Sequence, residues 1–302
     1  GQDYVEYPDL TPVAPGQGFW AITAIDRQLA VSGQFISDTT PYTVTVAPGW
    51  NMVGYPFLGR GALEDVVVRY REGGEWVEVP LGSQVDLKVE KEAWGYRSGY
   101  FAVRAGGAGL LDEWQAYWMN NVSSENVQLL FYPSGTVPAS PRTTASSVLP
   151  SLTQMPGGIS FILSEKGRGY RDRTLFLGLD DRASKGLDSL DCTSPPPVSK
   201  LAPRIYVNHG KWKVRPGQYA VDVRPPDALP EDFHVRLELP PRKGATRYVL
   251  RWKEIGTLPG NLKVSLEDPT NRRKVNMRKQ SSYEFPVPAG KKRLAFIVRM
   301  KS

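Results

Sequence analysis

Four aspartates, Asp180, Asp181, Asp188 and Asp191, fall within twelve residues of one another together with Ser184 and Ser189. Calcium takes about six to eight oxygen ligands, usually carboxylates and carbonyls of an irregular loop, so this segment is the candidate cation site. Its spacing is not that of an EF-hand loop, and Arg173, Arg182 and Lys185 are placed to pair with the same carboxylates. Asp-capped turns are therefore the competing reading. A carboxylate pair for glycoside hydrolysis would be sought in the same segment, but nothing in the sequence fixes the separation that this chemistry needs.

Other catalytic chemistry is sparsely provided. One Cys and two His in 302 residues cannot build a Cys/His zinc site or a disulfide framework, and they argue against a His-based triad. Cys192 follows Asp191, a negative neighbour that raises a thiol's pKa, so packing or an intermolecular link suits it better than nucleophilic attack. His209, in Asn208-His-Gly210, reads as a turn residue, and His234 alternates with Val235 along a strand. No catalytic residue is expected, and no cofactor other than calcium at the Asp cluster.

Eight Trp raise the question of sugar stacking. Trp50, Trp76, Trp94, Trp114 and Trp118 are the residues that could form such a platform, but most tryptophans lie in alternating strand patterns, and buried anchors of about 200 Å2 each are the favoured reading. Trp76 and Trp94, flanked by Gly and Glu, are expected to be exposed and are the glycan-stacking candidates. Basic residues cluster at Arg242-Lys243, Arg272-Arg273-Lys274, Arg278-Lys279 and Lys291-Lys292-Arg293, all in expected hairpin turns. No aromatic residue is interleaved with them, which argues against nucleic acid as a partner. An acidic protein surface fits better, so Arg272, Arg273, Lys274, Lys291, Lys292 and Arg293 are the assembly candidates.

The elements that must carry these residues are strands. Short β-branched and aromatic runs bounded by Gly, Pro, Asn or Asp recur from Gly18–Thr23 and Tyr42–Val46 to Leu294–Val298, and helical periodicity is nearly absent. Ser83–Glu92 is the one weak helical candidate and fits a strand equally well. The expected fold is all-β: two antiparallel β-sandwich modules, immunoglobulin-like or jelly-roll-like, joined by a Ser/Thr/Pro-rich linker. The modules are residues 1–135 and 157–302, with the linker at 136–156. Within the first, Ala14–Trp20 and Leu111–Trp118 share a turn, a Gln and two aromatics, so 1–37 reads as the end of one repeat and 41–133 as a full copy. No run of apolar residues is long enough to span a membrane.

The net charge of +7 averages two unlike halves. Residues 1–150 hold nine Lys or Arg against sixteen Asp or Glu, and residues 151–302 hold twenty-nine against fifteen. Complementary halves of this kind favour association between copies.

The run Ala47-Pro-Gly-Trp-Asn-Met-Val-Gly-Tyr-Pro-Phe57, with Leu63–Tyr70 and Glu113-Trp-Gln-Ala-Tyr-Trp-Met-Asn-Asn121, resembles the GWN and PWQGYW-type β modules of secreted and surface proteins of Bacteroidota and Chlorobi-like bacteria, a type IX secretion-associated group. Gly169–Asp172, Leu177–Asp191, Pro195–Pro197, Tyr219–Pro225 and Tyr248–Trp252 are similar to the β-sandwich that often follows those modules; Thr174 departs from the Asn usual there. The resemblance implies export, a β fold and no catalysis by the modules themselves. The expectation is a non-enzymatic extracellular or cell-surface protein, structural or adhesive. It would self-associate into a surface or fibre-like assembly, through complementary halves and strand donation, with copies of itself or other surface proteins as partners. The alternative is a carbohydrate-binding or accessory region of a larger secreted hydrolase or protease, with a glycan as ligand.

Overall fold

A computed structural model of the chain describes residues 13–20, 36–84, 87–97, 99–105, 109–133 and 157–302. The expected linker and the expected N-terminal strand at Gln28–Val31 lie outside the described residues. Two compact units are present, one of residues 1–96 with 102–148 and one of residues 97–101 with 149–302. Both are all-β, and among the described residues there is no α-helix. No helix is long and apolar enough to cross a membrane among those residues.

The first unit starts with β1 (Tyr42–Val46), β2 (Gly49–Gly54), β3 (Arg60–Ala62), β4 (Val67–Glu72) and β5 (Glu75–Pro80). It continues with β6 (Glu92–Tyr96), β7 (Tyr100–Arg104), which crosses the division between units, β8 (Leu110–Asp112), β9 (Ala116–Asn121) and β10 (Val127–Phe131). These form two four-stranded sheets, ordered β1-β10-β4-β5 and β2-β9-β6-β7, and a β3-β8 pair. The turn into β2 shows why Gly-Trp-Asn stands there. Gly49 adopts φ +90°, and the Asn51 amide clasps the turn from inside. Its Oδ1 accepts from the Ala47 N–H at 3.0 Å, and its Nδ2 donates to the carbonyls of Ala47 and Gly49 at 2.7 and 2.9 Å. An Asn side chain mimics a backbone turn in this way.

The Ala14–Trp20 segment lies on the outer edge of β2. Gly18 N–H donates to Met52 O at 3.0 Å and Gly54 N–H to Gly16 O at 2.9 Å, with Gln17 bridging Val53. The two sequence-similar segments thus flank the same strand, since β9 pairs with its other edge. Ser83–Glu92 contributes no helix: the described part holds a 3-10 turn at Leu81–Ser83 and a bridge from Val89 to Asn121.

The second unit is one twelve-stranded sheet. Its strands are β11 (Gly157–Glu165), β12 (Arg171–Asp172), β13 (Phe176–Leu179), β14 (Cys192–Thr193), β15 (Arg204–Asn208), β16 (Gln218–Arg224), β17 (Glu231–Glu238), β18 (Thr246–Gly256), β19 (Lys263–Asp268), β20 (Arg273–Asn276), β21 (Ser282–Val287) and β22 (Arg293–Lys301). The ladder runs β20-β19-β22-β17-β15-β16-β13-β11-β18-β21 and curls until it nearly closes. Phe285 on β21 meets Phe296 on β22 across the core, ring centroids 5.0 Å apart. Alternation selects the core: in β17, Phe233, Val235 and Leu237 are buried while His234 and Arg236 face outward.

The sheets are antiparallel, as expected, with one parallel pair among the described residues. β13 and β16 run parallel, Phe176 beside Val221. The long connection through β14 and β15 permits this, because parallel neighbours need a crossover that a hairpin cannot supply. The placement of Arg272, Arg273 and Lys274 in a turn is corrected. Arg272 occupies the turn with φ +50°, whereas Arg273 and Lys274 open the edge strand β20.

Candidate functional site

The acidic loop leaves β13 and returns through β14. Asp180, 3 % exposed, accepts from the Arg182 backbone N–H at 2.9 Å and from its Nε at 2.8 Å. That hydrogen-bonded guanidinium holds the Asp180 carboxyl below its ordinary range. Asp181 points to solvent. Asp188 accepts from the backbone of Ser184 and, at 2.7 Å, of Leu190. Asp191 accepts from the N–H of Asp188 at 3.0 Å and of Val223 at 3.1 Å. Three of the four aspartates therefore close turns, and among the described residues no three His, Cys, Asp or Glu side chains are grouped to hold a metal ion. Asp191 is nonetheless unusual: burial first, then the charges of Asp222 and Asp188, push its carboxyl up to about 8.

Beside this loop lies a charge network that sequence inspection passed over. Asp222 and Arg224 sit two apart on β16, hence on one face, at 1 % and 4 % side-chain exposure. Arg224 Nη2 is 2.7 Å from Asp222 Oδ1. His209, at the turn after β15, places Nε2 2.7 Å from Asp222 Oδ2 and 3.1 Å from Arg224 Nη2. Trp212 covers the imidazole, the Arg224 guanidinium lies 5.3 Å from the Trp212 ring, and Tyr219 meets both aromatic rings edge-on. Glu231 Oε1 stands 3.9 Å from Arg224 Nε. A His–Asp pair orients a general base in hydrolases. Here the same Nε2 is engaged by both Asp222 and Arg224, so the geometry is that of an interior charge network. The signal for it was Asp222 interrupting the apolar run Tyr219–Val223, with Arg224 two residues on and so on the same strand face.

The tryptophans divide differently from expectation. Trp76 on β5 is 48 % exposed, with the Arg71 guanidinium 4.1 Å and that of Arg69 5.8 Å from its ring. Trp94, expected at the surface, is 3 % exposed. It lies on β6 opposite Trp118, in a strand paired on both sides; its Gly and Glu neighbours said nothing of that position. Trp114, one of the five possible platform residues but not one of the two expected at the surface, is 80 % exposed.

The assembly candidates are solvent-facing. Lys274 pairs with Glu267 at 2.6 Å and Arg293 with Glu238 at 3.6 Å, while Lys291 and Lys292 are exposed in the turn before β22. Edges are treated unequally. β5 carries Glu75, Glu78 and Pro80, β20 carries Arg273 and Lys274, and β21 carries Pro286, all devices that discourage pairing. β1, Tyr-Thr-Val-Thr-Val, has neither charge nor proline, and among the described residues it pairs only with β10.

Comparison with known proteins returns no matching family model, no similar curated protein and no similar solved structure.

Proposed function

We propose that this protein is a non-enzymatic structural or adhesive protein of the extracellular space or cell surface, and that it associates with copies of itself by strand addition along β1. The observation that carries the reading is the edge of β1, which carries neither charge nor proline and is unpaired among the described residues. Val44 and Val46 face the core while Thr43 and Thr45 face out, so an added strand gains main-chain hydrogen bonds and disturbs no packing. The segment at Gly16–Gly18 supplies a precedent within the chain, because it already extends the β2 edge of the same unit. An addition of this kind is heterologous, and it propagates when it does not close on itself.

Sedimentation of the full chain over a range of concentrations, in low and high salt, tests the reading. Larger species are expected for the wild type, and Thr43→Lys with Thr45→Lys should leave a folded monomer. A wild type monomeric under every condition overturns it. The exposure of Trp76 favours a second reading, a glycan-binding accessory region. A glycan array on which binding disappears with Trp76→Ala would support it.

A further inference from the structure

A cleft of about 590 Å3 opens in the first unit, with Asp38, Tyr55, Phe57, Leu58, Glu113 and Trp114 in its lining. The size falls in the range of ligand sites, about 300–1,000 Å3. Trp114 holds φ +59°, a backbone conformation that is costly for a bulky residue, and the residue is 80 % exposed. The loop is clamped in that state. Glu113 N–H donates to Gly59 O at 3.1 Å, Gly59 N–H donates back to Glu113 Oε2 at 2.7 Å, and Asp112 N–H donates to the Tyr117 hydroxyl at 2.9 Å. An ion pair of 2.7 Å between Arg60 and Asp112, facing residues of β3 and β8, ties the strands next to it. The site is therefore organised before anything binds, which lowers the ordering cost of a ligand.

Its chemistry is one-signed. Asp38 and Glu113 are exposed carboxylates, and no Lys or Arg belongs to the lining among the described residues. An indole face beside carboxylates attracts an ammonium or guanidinium group. The complementary element is in the same sequence: the turn between β21 and β22 presents Lys291 and Lys292, and Arg293, expected in that turn, instead opens β22 beside them with its side chain 82 % exposed. That turn is also held, by Gly290 N–H to Arg242 O at 3.1 Å and Lys291 N–H to Pro288 O at 3.2 Å. We propose that the Trp114 cleft is a receptor for cationic side chains and that its occupant is the Lys291–Arg293 segment of a second copy. The proposal rests on the self-association reading and adds to it a contact distinct from the β1 edge.

The test uses the full chain and a capped peptide of residues 288–294, followed by calorimetry and tryptophan fluorescence. Saturable binding that weakens with salt is expected. Trp114→Ala should weaken it about tenfold and Trp114→Phe less, because indole is the best cation acceptor among the aromatic rings. Absence of saturable binding, equal binding of a peptide with Glu at positions 291 and 292, or displacement by a neutral oligosaccharide overturns the proposal. In the full chain, Lys291→Glu with Lys292→Glu should impair association, and mixing that variant with Asp38→Lys chains, which keep the Glu113 clamp, should restore it. Association that survives Thr43→Lys with Thr45→Lys but not the 291/292 reversal removes strand addition and keeps the cleft. The opposite pattern, with no peptide binding, removes the cleft and keeps strand addition.

Discussion

The imidazole of His209 lies flat on the indole of Trp212, ring centroids 3.7 Å apart and planes within 5°. This stack flanks a network in which buried Asp222 and Arg224 meet the partly exposed His209 and Glu231. Buried ions are tolerated only when paired, so the contacts within the network are interdependent.

Asp222→Ala should show that dependence. It removes the counter-charge of Arg224, which is 4 % exposed, and breaking such a pair costs roughly 3–5 kcal/mol. Trp212→Ala removes a half-exposed ring and its stacking, about 1 kcal/mol beyond the lost burial. Urea unfolding of both variants measures the order. A Trp212→Ala defect larger than that of Asp222→Ala would mean that packing, not charge pairing, dominates this region.

Asp191 gives the unit a pH dependence. Unfolded, its carboxyl titrates near 3.8, and folded it titrates near 8, because burial and the charges of Asp222 and Asp188 oppose ionisation. Between those values the native chain holds a proton that the unfolded chain has released. The contribution of Asp191 is therefore complete below about pH 4 and is lost as pH rises toward 8. Asp191→Asn, which stays neutral, should flatten this slope, so the stability of the variant relative to wild type should rise across the window. Thermal melts at a series of pH values check this, and a pH-independent difference would contradict it.

Trp94→Ala and Trp76→Ala should separate cleanly. The first empties a site between paired strands in the first unit and should cost about 3–5 kcal/mol. The second loses only surface contacts with Arg69 and Arg71, worth about 1 kcal/mol. Denaturation midpoints measured side by side decide whether both tryptophans behave as their exposures require.

Asn51→Ala should cost about 2 kcal/mol in the first unit, since it removes three hydrogen bonds to Ala47 and Gly49 and each contributes about 0.5–1.5 kcal/mol. Gly49→Ala should be unfavourable for a different reason, the φ of +90° at that position. Hydrogen exchange at the β1–β2 turn distinguishes a local loosening from loss of the whole unit.

The sequence by itself determined the fold class and most strand positions. Period-two alternation such as Phe233, Val235 and Leu237 is a local consequence of backbone geometry and needs no partner to be read. It also determined that Pro48-Gly49 turns the chain, because glycine is the residue that tolerates the left-handed backbone there. Short strands escaped, β3, β8, β12 and β14 among them, since two or three residues carry no period. What the aspartates of the 180–191 loop bind was not legible in their spacing. It depended on which backbone N–H groups the fold brought to them, one of them Val223 on a distant strand. Trp94 and Trp114 show the same limit from both sides. The Gly and Glu near Trp94 suggested exposure, yet Trp94 is buried and Trp114 is the exposed one, because exposure is set by which strands pair on either side and which loops stand clear of them. The meeting of His209 with Asp222 and Arg224 likewise belongs to tertiary structure, since these residues lie thirteen and fifteen positions apart in the chain and nothing in their local pattern joins them.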